Sequence, residues 1–242
     1  MDVLPAAVTA LGARLQDLGW VPDLLVGGSL ATGDYVPGVS DLDLVAIVEG
    51  RLSPARVARL VAIHEDLDRG EAAGADLGCV YVAAGRISAA AVRHPTWTHG
   101  YLVYRTVSGI TRAELARHGF PAYGRAPSEV LPPVTDDEIR GAARDELCGY
   151  WAWAARHPRM WLSPVIAELG LTSMARGRSA MRTGQLLSKG DAIEQAHAPD
   201  WLKDQLRARR RGEQVTSPRL PTAWIAWTDA RRTVRAARAG AA

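Results

Sequence analysis

Cysteine and lysine are nearly absent from this chain, and so are long apolar runs. The two cysteines, Cys79 and Cys148, are far apart and not at a metal-ligand spacing. That argues against a disulfide framework or a zinc site and leaves both as expected buried thiols. No apolar run approaches the roughly 18 residues that span a bilayer. The opening MDVLPAAVTA lacks the basic and apolar regions of a signal peptide, so a cytoplasmic protein with no membrane partner is expected. Lysine occurs only at 189 and 203, which makes nearly all the positive charge arginine. Such a skew fits a GC-rich genome better than selection for phosphate, and it makes a lysine inside a motif-like stretch notable. The formal charge of +3 is small for the length. The pI of 9.1 points only weakly to an anionic partner such as a nucleotide or nucleic acid.

What is present reads as a compact protein. Hydrophobic residues at 48% and charged residues at 23% give the balance of a globular chain, and 242 residues suffice for one large or two modest domains. The patterning favours two. Leu4, Val8, Leu11, Leu15 and Leu18 recur at helical spacing over 4–19. Strands are predicted at 23–26, 44–48, 77–82 and 101–107, with helices after Ser53-Pro54 and over 111–118. Residues 120–135 hold Pro121, Pro127, Pro132 and Pro133 and read as a connector. Beyond it, 136–153, 164–183, 192–211 and 222–238 suit helices, and no strand is expected. The tryptophans of this half are read first as helix-packing core. The expected division is residues 1–125 and 126–242.

The chemistry concentrates in the first half. Gly27-Gly28 breaks the first strand, and Leu30 to Ser40, with Gly33, Pro37 and Gly38, lets the chain turn back beside it. Asp41 and Asp43 then stand two apart at the start of a strand, so alternation points both carboxylates to one face. Two hard oxygen ligands suit magnesium when water and nucleotide phosphate complete its shell. Gly28 lets backbone approach a phosphate, and Ser29 can donate a hydroxyl hydrogen bond to it. The bland alternative is a glycine-rich turn followed by two solvated aspartates.

Gly27-Gly28-Ser29-Leu30 through Ser40-Asp41-Leu42-Asp43-Leu44 resembles the signature of polymerase-beta-like nucleotidyltransferases. The resemblance implies in-line attack by a hydroxyl on the α-phosphate of a nucleoside triphosphate, with two magnesium ions at the attacking and leaving oxygens. It also implies a third carboxylate on a nearby strand, as metal ligand or as base toward the acceptor hydroxyl. The aminoglycoside nucleotidyltransferases carry a glutamate where this chain has Gly78. Asp76 is the nearest candidate, on the same face but about 6–7 Å further along the strand.

In the second half, Leu171 to Arg176 and Thr183-Gly184 to Ala192 resemble the helical domain of streptomycin/spectinomycin adenylyltransferases, as do Tyr123 to Pro133 and Asp136 to Trp151. This resemblance implies that Arg176 and Lys189 reach the triphosphate across an interdomain cleft. It implies a substrate contact from Trp151, against a core role. An acidic substrate-binding position falls at Ile166, with Glu168 nearby. His94, His99 and His157 have no partner at motif spacing and are read as structural. The arginine run Arg207, Arg209, Arg210 and Arg211 and the arginine-rich tail from Arg231 could bind RNA but are read first as a solvated face.

The combined expectation is an α/β nucleotidyltransferase domain, a mixed sheet with flanking helices, followed by an all-α helical bundle. It would transfer AMP from ATP, with Mg2+, to a hydroxyl of a small molecule, an aminoglycoside or aminocyclitol first. The alternatives are a protein or RNA acceptor, or nucleotide binding without turnover. Nucleic acid is not the expected partner.

Overall fold

A computed structural model of the protein describes residues 4–89 and 91–240. The chain divides into two compact units, Met1–Val134 and Thr135–Ala242. The first unit therefore runs past residue 125 and takes in most of the proline-rich segment expected to be a connector.

The elements of the first unit are α1 (Ala6–Gln16), β1 (Asp23–Val26), α2 (Gly28–Ala31), β2 (Leu42–Val48), α3 (Pro54–Arg69), β3 (Leu77–Ala83), β4 (Arg93–Thr98), β5 (Tyr101–Thr106), α4 (Gly109–His118), β6 (Phe120–Tyr123) and α5 (Pro127–Val130). The strands form one mixed sheet in the order β5-β4-β3-β2-β1-β6. β2 and β3 run parallel, and every other neighbouring pair is antiparallel.

Alternation along β2 sorts its side chains between two helical layers. Leu42, Leu44, Ala46 and Val48 pack with Leu11 and Leu15 of α1 and Leu60, Ile63 and Leu67 of α3. Val45 and Ile47 belong to a second core, with Leu25, Val82 and Leu115 of α4. Asp43 shares their parity, so it stands on the α4 side of the sheet and is exposed there. Ser53 caps α3 by accepting from Arg56 N at 3.3 Å, with Pro54 next in line.

Two strands escape the sequence pattern, and both contain proline. β6 lies at the sheet edge, where Pro121 leaves no central ladder bond unmade. β4 is interior, but its ladder with β3 covers only Cys79↔Trp97 and Val80↔Thr96, which leaves Pro95 outside it. β6 is held by an ion pair between exposed Arg125 and buried Asp23: Arg125 donates to Asp23 from its backbone N at 2.8 Å and from Nη2 at 2.7 Å. Burial pushes the Asp23 carboxyl up, and Arg125 more than offsets this, leaving it below the usual carboxylate range.

The second unit contains α6 (Asp136–Glu146), a π-helical turn at Leu147–Trp151, α7 (Ala152–Ala154), a 3-10 turn at Pro158–Leu162, α8 (Pro164–Thr183), α9 (Lys189–Glu194), α10 (Asp200–Arg210) and α11 (Arg219–Ala239). None of its described residues is in a strand. The single helix expected over 136–153 is interrupted at Gly149, whose φ −87 and ψ −105 leave the helical region. The one expected over 192–211 is split before Asp200, which Pro199 precedes. α8 carries the core through Ala167, Leu171, Met174 and Ala175. Gly170 lets it approach Trp161, since a Cβ there would stand 2.8 Å from the indole Cη2. Among the described residues no helix is long and apolar enough to cross a membrane.

Candidate functional site

The turn after β1 is built around a glycine that only glycine can replace. Gly28 has φ +57, and a Cβ there would overlap the Asp43 carboxylate, standing 2.8 Å from its Cγ. Asp43 O also accepts from Gly27 N at 2.8 Å, so the turn is bound to the strand that carries the acid. Ser29 follows inside α2. It is 6% exposed, and its Oγ has no hydrogen-bond partner among the described residues. An unpartnered buried hydroxyl costs about 1–3 kcal/mol, so a donor or acceptor is kept here that the folded chain does not itself use.

Asp41 precedes β2, half-buried, with the parity of Asp43. In the parallel β2–β3 ladder Asp43 is the register partner of Gly78, and Leu42 N donates to Asp76 O at 2.8 Å. The acids and Gly78 thus open onto successive hollows. Asp41 and Asp76 line one of about 470 Å³ with Tyr35 and Ser40. Asp43 and Gly78 line another of about 320 Å³ with Thr96, Thr98, Arg105 and Glu114. A Cβ at Gly78 would meet Leu42 O at 3.4 Å, so the position has room for a side chain and has none. Sequence gives no signal for Glu114 and Arg105, because they reach this cavity from α4 and β5 without any motif.

Asp76 has a partner that the sequence pattern hides: His99 Nδ1 lies 2.9 Å from its Oδ2. Thr98 pairs with Tyr101, so His99-Gly100 is a two-residue hairpin turn with both residues at positive φ, +50 and +80. His99 takes a place where asparagine is usual, and the turn carries its ring to Asp76. The dipeptide is a legible turn signal, but without β4 it has no hairpin to close.

The second unit places its candidates as follows. The Arg176 Nε donates to Leu187 O at 2.9 Å, and Lys189 opens α9 behind the Ser188 cap. Glu168 is bridged by Arg209 at 2.9 Å, and burial holds its carboxyl above the usual range despite that arginine. Trp151 is 3% exposed and packs with Trp161, ring centroids 5.9 Å apart. That burial fits the core role weighed against the substrate contact expected of it.

Among the described residues no three His, Cys, Asp or Glu side chains gather to hold a metal by themselves.

No protein-family model matches the chain, and no curated protein matches it. Its fold is similar to that of spectinomycin adenyltransferase AAD(9) from Enterococcus faecialis, solved with ATP and spectinomycin. The TM-score is 0.62 at 14% identity, over 95% of each chain. At that identity the likeness is one of fold: a nucleotidyltransferase-like mixed sheet with flanking helices and a helical C-terminal region.

Proposed function

We propose that the protein is a magnesium-dependent adenylyltransferase that moves AMP from ATP to a hydroxyl of a small molecule, an aminoglycoside or aminocyclitol. The observation that carries this is the Gly28-Ser29 turn. It sets a buried, unpartnered hydroxyl beside a glycine that lies against the carboxylate of Asp43. Gly28 leaves the backbone open to a phosphate, and Ser29 Oγ donates to one of its oxygens. Asp41 and Asp43 hold magnesium, whose chemistry when bound is to neutralise charge on the phosphate oxygens. Arg176 and Lys189 are assigned to the triphosphate, and Glu168 remains the acidic candidate for an ammonium group of the acceptor. Asp76, oriented by His99, takes the proton of the acceptor hydroxyl as its oxygen bonds to the α-phosphorus and pyrophosphate leaves.

A second reading, nucleotide binding without transfer, is favoured by Gly78, which places no acid beside Asp43. Incubation with magnesium, ATP labelled at the α-phosphate, and a panel of aminoglycosides, proteins and RNAs separates the cases. Label on spectinomycin or streptomycin is the expected result. Label on protein or RNA changes the acceptor, and ATP binding without turnover favours the second reading.

A further inference from the structure

The C-terminal helix α11 buries one face completely and leaves the other with an unusual chemistry. Ala223, Ala226, Ala230, Val234 and Ala237 recur at helical spacing and are buried. The opposite face carries Trp224, 65% exposed, then Trp227, Arg231, Arg232 and Arg235 around a groove of about 530 Å³. The two indoles lie 5.4 Å apart, and the Arg231 guanidinium sits 4.8 Å over the Trp227 ring. Among the described residues no acidic side chain lines the groove. The only acid on the helix is Asp229, which is buried and bound by Arg178 at 2.7 Å. Arg231, Arg232 and Arg235 pair with no carboxylate among the described residues, whereas Arg207, Arg209 and Arg211 of the neighbouring segment all do.

We propose that this face of α11 binds single-stranded nucleic acid, with bases stacking on Trp224 and Trp227 and the arginines meeting the phosphates. The exposed Trp224 indole, with half-buried Trp227 beside it, gives a stacking surface indifferent to sequence, and a file of guanidiniums without carboxylate partners tracks a backbone. From Trp224 to Arg235 the helix rises about 16 Å, room for a few stacked bases. An anionic membrane would also attract the arginines, but it needs a broad apolar face to insert, and apart from Leu220 and Trp224 the large apolar side chains of this helix are buried or half-buried. A polyanionic protein surface would use the arginines and leave the open indole without a stacking partner. The site is independent of the adenylyl transfer proposed above and stands or falls apart from it.

The test is fluorescence anisotropy of a labelled oligouridine with the full chain, across a salt series, beside phosphatidylglycerol vesicles. The oligouridine is expected to bind at low salt. Arg231→Ala/Arg235→Ala is expected to weaken binding on the order of tenfold and to lower the slope of log K against log salt by about 1.4, at about 0.7 per lost contact. Trp224→Ala should weaken binding on the order of tenfold with the slope kept. Arg59→Ala/Arg69→Ala, an equal loss of charge on α3, should change neither. Circular dichroism checks that each variant stays helical. No oligouridine binding at low salt, vesicle binding alone, or equal losses from the α3 and α11 variants would each overturn the proposal.

Discussion

The carboxylate of Asp43 occupies the space that a Cβ on residue 28 would need, so the chain can keep either this acid where it is or a side chain at that turn. Gly28→Ala is therefore expected to do two things at once. A residue with a Cβ at φ +57 costs about 1–2 kcal/mol, which lowers the thermal midpoint. The displaced Asp43 lowers adenylyl transfer on the order of a hundredfold. Calorimetry and the labelled-ATP assay read the two effects separately, and a variant that kept full activity would disconnect Gly28 from the site.

Ser29→Ala separates function from stability in sign. The hydroxyl is buried and unpartnered in the free protein, so its removal should leave the ligand-free protein as stable or stabilise it by about 1 kcal/mol. ATP affinity should fall instead. Urea unfolding with and without ATP and magnesium checks both. Lower stability with unchanged ATP binding would make Ser29 structural.

Gly78→Glu should be a gain-of-function change. The register partner of Asp43 has room for a side chain: a Cβ there would stand 3.4 Å from the nearest backbone atom, with a cavity beyond it. A carboxylate entering there stands beside the acidic pair and serves as base or ligand. Turnover is expected to rise by about tenfold or more, within the range of general-base contributions. A folded variant with unchanged turnover would rule out a third acid at this position.

The strand over 44–48 and the shared parity of Asp41 and Asp43 were legible from alternation, whereas the helices that each face of β2 meets are set only by tertiary packing. The role of Gly28 was legible only in part. That a glycine was wanted near phosphate follows from chemistry, whereas its place against Asp43 exists only once β1 and β2 pair. Asp76 and His99 are a fully tertiary pair, 23 residues apart in sequence and joined by a strand that Pro95 disguised. Trp151 and the exposed Trp224 have the same chemistry in sequence, and helical packing alone decides which is core. The arginines past 231 likewise read as a solvated face, because sequence does not show the absence of carboxylates around them.

Acid should weaken the N-terminal unit through a buried histidine, starting above the range in which carboxylates titrate. His64 is buried, bonded through Nε2 to the Tyr81 hydroxyl at 2.7 Å and stacked on Trp97, and burial pushes its pKa down to about 3. Its folded value lies below the ordinary 6.5, so between those values the unfolded chain takes up a proton that the native state refuses. Stability is complete above about pH 6.5 and declines as pH falls toward about 3, by about 3 kcal/mol at about pH 4 from His64. His94, also pushed down by burial, adds in the same direction. Urea midpoints across this range should fall for the wild type and fall less for His64→Gln. A flat profile would mean that His64 is not held neutral.

The acidic pair is put to its sharpest trial by transfer of label from α-labelled ATP to spectinomycin or streptomycin, compared between the wild type, Asp41→Ala and Asp43→Ala. Magnesium-dependent label on the acceptor, pyrophosphate release, and loss of both in either variant with the fold retained are the expected results. Undiminished transfer by either aspartate variant would show that Asp41 and Asp43 are not the metal platform of an adenylyltransferase.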